Sequence, residues 1–293
     1  MADNVGNKPS KEYHLDIPVQ TEGFFLKGLN NNDFGLKNRL SRIFQPKSGN
    51  AVVLAFDHGY IMGSTAGLER LDVTIAPLAP HVDVFMGTRG AIRSCFSPTM
   101  HPAVCLRATR DSSVLYDDMS VGNGCGVEME DAIRMNASAV AVQTFIGAQG
   151  EADSLKTLCS YVDAGNRYGI PVLGVVAVGK EMERTAKFFL LATRILAEHG
   201  AHFVKTYYCD DFEKVTAACP VPIIVAGGKK LAEDEALAMT YRAIQEGAHG
   251  VDMGRNIFQS EDPTAMAQAI AKVVHEKYTN KQAYEFFMDT KKK

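Results

Sequence analysis

Paired cysteines, clustered histidines, a dense basic stretch and a membrane-length apolar run are all missing from this chain. Six cysteines (Cys95, Cys105, Cys125, Cys159, Cys209 and Cys219) are scattered without a C-x-x-C pair. A chain of this size needs no covalent staples, so reduced thiols and no disulfide framework are expected. The eight histidines form neither H-x-H nor H-E-x-x-H, which argues against a zinc hydrolase or a metal-dependent aldolase, and no metal site is expected. His199 and His202 straddle a predicted helix end and strand start and are read as structural. With a net charge of -3 and only the short Lys291-Lys292-Lys293 tail as a basic run, there is no footprint for nucleic acid or an anionic membrane. The N-terminus lacks a signal-peptide core, and no run approaches the roughly 18 apolar residues of a membrane helix. The expectation is a cytoplasmic protein whose partners are small molecules.

What is present is a regular alternation. At 293 residues and 46% hydrophobic content the chain can bury one large core, and barrels of about 250 residues form single domains. From residue 51 the strand-like runs AVVLAF, VDVFMG, AVCLRA, AVAVQTF, PVLGVVAV, AHFVKTYY, VPIIVAGG and HGVDMG alternate with helical periodicity. The helices are predicted at about 67–79, 90–94, 151–168, 183–199, 210–218, 232–247 and 262–276. Short, continuously apolar strands alternating with helices predict a parallel sheet covered by helices, and eight such units predict closure into an α/β (β/α)8 TIM barrel. Residues 1–45 read as a polar N-terminal extension whose Phe24, Phe25, Phe34 and Phe44 pack on the barrel. Residues 46–276 form the barrel, and 277–293 a C-terminal helical tail held by packing or subunit contact. A doubly wound open sheet competes through Gly122-Asn123-Gly124-Cys125-Gly126. That string fails the dinucleotide fingerprint in spacing and position, and it reads better as a flexible loop after the third strand.

The last three runs each end in chemistry. Lys205 sits among Phe203-Val204 and Thr206-Tyr207, and the next two runs break at Gly227-Gly228 and Gly254-Arg255. Where a strand turns into a helix, unpartnered N–H groups and the helix dipole favour an anion, and in barrels the loops after strands seven and eight commonly hold phosphate. Arg255 adds a planar fork of donors. A turn glycine supplies positive φ whatever the loop binds, so either turn alone is ambiguous; together they favour phosphate. A lysine in such a strand reaches the rim, pairs with an acid or has a lowered pKa. The last option makes it a Schiff-base nucleophile, whereas a snorkelling or ion-paired lysine is structural. Asp57 and His58 close the first strand in AFDHGY, placed to bind a hydroxyl and move protons, although an Asp at such a turn is often only a cap.

The segment A-F-D-H-G resembles the first-strand motif of the archaeal-type class I aldolases, and Lys205 falls on the strand that carries their imine-forming lysine. The resemblance covers essentially the whole barrel. LSRIFQPKSG, LAFDHGY, GLERLDV, VKTYY, CPVPIIVAGGKKL and GVDMGRNIFQS are similar to the autoinducer-2 processing branch of that superfamily. This implies transfer of an acetyl group from a phosphorylated dione to coenzyme A, yielding acetyl-CoA and dihydroxyacetone phosphate. It implies Lys205 in the imine role, Asp57 and His58 in the first-strand polar role, and Gly227, Gly228, Gly254 and Arg255 on the phosphate. It further implies no bound cofactor, coenzyme A as a co-substrate without a sequence motif of its own, and a homo-oligomer of many subunits with a decamer as one candidate.

The chain departs from those aldolases at one place. They carry a tyrosine proton donor near the end of strand five, where this sequence reads Val175-Val176-Ala177-Val178-Gly179-Lys180. Reversible aldol chemistry needs a proton donor, so the departure counts against an ordinary sugar-phosphate aldolase unless Tyr207, Tyr208 or His58 substitutes. Two alternatives stay open: a Schiff-base aldolase acting on a ketose phosphate, and a non-catalytic sugar-phosphate binding protein. Cys209, close after Lys205, is read as packed.

Overall fold

The computed structural model describes residues 13–18, 23–63, 66–177 and 183–291. Eight strands, β1 (Ala51–Ala55), β2 (Val84–Thr88), β3 (Ala103–Arg107), β4 (Ala139–Thr144), β5 (Val172–Val176), β6 (Phe203–Tyr207), β7 (Ile223–Ala226) and β8 (Gly250–Met253), form one closed parallel barrel. β8 closes the ring on β1, with Ala51 opposite Gly250 and Leu54 opposite Met253. The strands read as continuous apolar runs because helices cover the outside and the facing strands fill the inside; every residue of β1, β4, β5, β7 and β8 is buried.

Helices Glu151–Tyr168, Ala186–Glu198, Phe212–Ala218, Glu233–Gln245 and Pro263–Glu276 follow β4 to β8. Local chemistry fixes their ends. The Thr185 hydroxyl accepts from Phe188 N, Asp262 accepts from Ala265 N ahead of Pro263, and Gly169 closes the helix after β4 in the left-handed conformation. After β1 the expected single helix over 67–79 divides into Leu71–Thr74 and a 3-10 segment Ala76–His81. Pro77 and Pro80 cannot donate to the α-helical ladder.

The structure also bears on the expectations for the two ends of the chain and for the glycine-rich string. The N-terminal extension contains a full helix, Phe34–Ile43, capped by Asp33, whose Leu36, Leu40 and Ile43 are buried. Phe44 follows it and meets Phe203 edge-on at a ring separation of 5.4 Å, at the foot of β6. Phe24 is partly buried, but Phe25 and Phe34 are exposed, Phe34 because it lies off the face its helix buries. The glycine-rich string after β3 is not a free loop. Gly124–Cys125 pairs antiparallel with Thr109–Arg110, and a helix Met129–Arg134 follows before β4. In the tail, helix Asn280–Thr290 starts on a Thr279/Gln282 capping box and packs on Glu233–Gln245 and Pro263–Glu276, burying Ala283 and Phe287.

Candidate active site

A cavity of about 620 Å³ opens at the C-terminal ends of the strands. Asp57, His58, Lys205, Gly227, Gly228, Gly254 and Arg255, separated by up to two-thirds of the chain, all line it. Three residues not singled out from the sequence join them: Arg107 at the end of β3, Gln143 in β4 and Asp252 in β8.

Strand alternation sends Lys205 inward and its neighbours Val204 and Thr206 outward. Its Nζ lies 3.0 Å from Asp252 Oδ2 and 3.7 Å from Met86 Sδ, with the two ionic side chains 13% and 0% exposed. The ion pair is close but off-axis, and neither oxygen of Asp252 receives a well-aligned hydrogen bond. The lowered lysine pKa that would by itself make a nucleophile is therefore not what the barrel sets up. Burial pulls the Lys205 pKa down, but the Asp252 and Asp57 charges outweigh it and leave the pKa raised. Burial pushes the Asp252 carboxyl up, to about 6, against the pull of Lys205. The result is a lysine held as a buried cation beside a carboxyl whose own proton affinity is raised by burial.

His58 caps the short helix Gly59–Met62 and stacks on Phe258, ring centroids 6.0 Å apart. Burial lowers its pKa, with Arg255 and Lys205 adding to the effect and Asp57 opposing it, so the ring is neutral near pH 7. Its Nε2 is buried without a hydrogen-bond partner. Asp57 is engaged elsewhere: its Oδ2 accepts from Arg107 Nη1 at 2.7 Å. Arg107, 4% exposed, also donates to Thr109 Oγ1 at 3.2 Å, to Gln143 Oε1 at 2.5 Å and to Asp111. Asp111 in turn accepts from Asn123 Nδ2 and the Tyr60 hydroxyl, both at 2.6 Å. This is what fixes the string at 122–126 in place. No hydrogen bond joins Asp57 to His58 among the described residues.

The two glycine turns are made differently. The chain after β7 does not enter a helix at Gly228; the helix begins at Glu233. Asn256, 1% exposed, pins the intervening loop by donating to Gly227 O and accepting from Leu231 N, each at 2.8 Å. Arg255 Nη2 ties the second turn to the first through Gly228 O at 2.7 Å. Gly228 has φ +67, which favours glycine, whereas Gly254 caps the short helix Arg255–Phe258 at φ -114. At Gly254 the constraint is space, since a Cβ would collide with the Ala55 carbonyl. The N–H groups of Gly228, Gly254 and Arg255 have no partner among the described residues. Free N–H groups beside a guanidinium make a cradle that an anion can fill.

Residues 51–260 match the family described as "DeoC/LacD family aldolase". The chain belongs to that family. Within it, similarity to curated relatives runs end to end. The chain is 53% identical over 293 residues to "3-hydroxy-5-phosphonooxypentane-2,4-dione thiolase" of Klebsiella pneumoniae, covering 99% of this chain and 98% of that one. It is 51% identical over 292 residues to the protein of the same name from Photorhabdus laumondii, covering 99% and 100%. Among solved structures, an archaeal fructose 1,6-bisphosphate aldolase superposes with a TM-score of 0.74 at 24% identity, over 82% of this chain and 99% of that one, a likeness of fold.

Of the three proton donors considered because Val175–Lys180 offers no tyrosine, Tyr207 and His58 line the cavity. Tyr208 does not; its hydroxyl donates to Glu246 at 2.8 Å, and burial and that contact push its pKa to about 12. Val178, Gly179 and Lys180 lie outside the described residues. The Cys209 thiol is buried and raised to about 11, chiefly by burial, so it is no thiolate. His202 accepts from Val172 N at 3.1 Å and is held down to about 4 by burial, while His199 Nδ1 lies 2.8 Å from the Ile195 carbonyl; both are structural.

Proposed function

We propose that this protein is a Schiff-base thiolase that cleaves 3-hydroxy-5-phosphonooxypentane-2,4-dione with coenzyme A to acetyl-CoA and dihydroxyacetone phosphate. The observation that carries the proposal is the buried Lys205–Asp252 pair, which lines the same cavity as the Gly228/Gly254/Arg255 turns and Asp57, His58 and Arg107. The relatives that match end to end carry the name of this reaction.

The phosphate sits on the free N–H groups of the two turns and on Arg255. This sets the adjacent carbonyl, C4, beside Lys205. Filling the cavity removes water, and in a dry site a neutral pair is favoured over an ion pair, so Asp252 takes the lysine proton and frees the amine to add to C4. Loss of water gives the iminium. His58, neutral at pH 7, accepts the thiol proton of coenzyme A, and Asp57 receives the C3 hydroxyl in a hydrogen bond. The thiolate adds to C2 and the C2–C3 bond breaks, its electron pair passing through C3–C4 to the iminium nitrogen. Protonation of the resulting enamine at C3 and hydrolysis release dihydroxyacetone phosphate. Coenzyme A acts as a co-substrate, with no resident cofactor in the scheme.

Borohydride trapping followed by peptide mass spectrometry tests this. The expected result is a reduced adduct on Lys205 with the phosphorylated dione that is discharged to acetyl-CoA when coenzyme A is added first. Release of dihydroxyacetone phosphate without any thiol would point instead to an aldolase, and no adduct at all would leave only phosphate binding.

A further inference from the structure

Arg107 and Gln143 have a donor arrangement that their mutual contacts do not use up. A guanidinium has five N–H groups and no acceptor. Four are engaged: one on Nε with Thr109, one on Nη1 with Asp57, and both on Nη2 with Asp111 and Gln143. One N–H of Nη1 remains, on a side chain that lines the cavity. Because Arg107 can only donate, the atom of Gln143 facing it must be the amide oxygen, so the amide orientation is fixed by chemistry. The Nε2 group of Gln143 is then turned away from Arg107, with no partner among the described residues, and Gln143 also lines the cavity.

Their position around the ring matters as much as their chemistry. In the barrel order, β3 lies opposite β7, with three strands between them on either side. The anion cradle is built after β7 and β8, and Lys205 projects from β6 far enough to approach Met86 of β2. A ligand held by its phosphate at the cradle and by its middle carbonyl at Lys205 therefore points its far end at β3 and β4. In the phosphorylated dione that far end is the C2 acetyl group.

We propose that Arg107 Nη1–H and the Gln143 Nε2 amide form an oxyanion hole for C2, an inference that rests on the thiolase reading. When the thiolate forms the S–C2 bond, the C2=O π pair moves onto oxygen as an alkoxide, and these donors receive it. When that pair re-forms C2=O, the C2–C3 bond breaks and its electrons reduce the C4 iminium to the enamine. Asp57 and Asp111 are positioning residues here: they hold the guanidinium so that its remaining N–H faces C2. Such preorganised donors stabilise charge that appears only in the transition state. Imine formation at C4 and proton exchange at C3 do not involve that oxygen.

Gln143→Met keeps the shape of the side chain and leaves Arg107 three acceptors. Two rates are compared in it and in wild type: coenzyme A-dependent acetyl-CoA formation, and exchange of the carbinol hydrogen of dihydroxyacetone phosphate with deuterated water, which reports the Lys205 imine and enamine. The expected result is a fall in acetyl-CoA formation of about 100-fold, the usual loss on removing one oxyanion donor, with exchange within about threefold. Arg107→Lys, which keeps one positive charge between Asp57 and Asp111, is expected to lower acetyl-CoA formation more than it lowers exchange. An equal fall in both rates, or a fall in neither, overturns the inference. A wild-type enzyme that performs the exchange but forms no acetyl-CoA overturns the thiolase reading and this inference with it; unimpaired acetyl-CoA formation by Gln143→Met overturns the inference alone.

Discussion

Lys205 Nζ and Asp252 Oδ2 face each other inside the barrel at 3.0 Å, from strands separated only by β7. Both belong to apolar strands, and each is an expensive thing to bury alone. Together they form a buried ion pair whose acid member is pushed up to about 6 by burial. The pair holds the lysine as an ammonium in the resting protein, and in the proposed reaction Asp252 is the base that releases it.

The pH dependence follows from that couple. Below about pH 6 Asp252 is protonated in the free protein and cannot take the lysine proton, so kcat/KM should fall with decreasing pH from that point. Asp252→Asn removes the base and should reduce turnover about 10²–10⁴-fold, the range for a lost general base, while the acid limb near pH 6 disappears. A pH–rate profile of both proteins between pH 5 and 9 checks this; an acid limb that survives in Asp252→Asn would assign it to another group.

Lys205→Met should abolish adduct formation and make stability depend on pH in a defined direction. Without the cation, burial acts on Asp252 unopposed by its nearest positive partner, and the folded-state pKa rises further above its unfolded value. The folded state then holds a proton that the unfolded chain releases, so stability declines as pH rises between the two pKa values, by up to about 1.4 kcal/mol per unit. Thermal midpoints at pH 5 and pH 8 should show Lys205→Met closer to wild type at pH 5. A gap that does not widen with pH would mean that Asp252 reaches solvent.

Gly228 and Gly254 should respond differently to alanine. Around Gly228 the nearest atoms to an added Cβ are 3.8 Å away, and only the positive φ resists, at about 1–2 kcal/mol of stability. At Gly254 the φ is ordinary but the Ala55 carbonyl is in the way, so β1 and the second turn must part and the cradle opens. Inhibition by inorganic phosphate should weaken about tenfold in Gly254→Ala, the equivalent of one lost charge-assisted contact of about 1.4 kcal/mol. In Gly228→Ala it should hardly move while the thermal midpoint falls. Equal phosphate inhibition in both variants and wild type would place the anion elsewhere.

The barrel was legible because parallel strands buried on both faces leave an unbroken apolar signature, and Lys205 stood out as a charge inside one. Asp252 carried the same signal in HGVDMG and Arg107 in AVCLRA, yet a charge near a glycine turn or a run's end looks like a boundary. Their meaning came from partners on other strands. The helix at about 232–247 is legible from its periodicity, but the loop before it is not, because Asn256, 29 residues on from Gly227, holds it in place. The helix Phe34–Ile43 was hidden by the polar Asn30–Asp33 cluster, although Leu36, Leu40 and Ile43 recur at helical spacing and Asp33 caps them.

Arg107 allows a last test of how the site is held together. It is the cation that compensates Asp57 and Asp111, which are nearly or wholly withdrawn from water. Arg107→Met leaves two buried carboxylates without it and should destabilise the protein by about 3–5 kcal/mol in urea unfolding. If uncompensated charge is the cause, adding Asp111→Asn to Arg107→Met should recover part of the loss, because one of the two charges is gone. If the loss comes instead from packing of the guanidinium stem, the double variant should be no more stable than the single one. Asp57→Asn by itself keeps a hydrogen-bond acceptor for Arg107 and should fold, and its loss of turnover then reports the role of that carboxylate toward substrate.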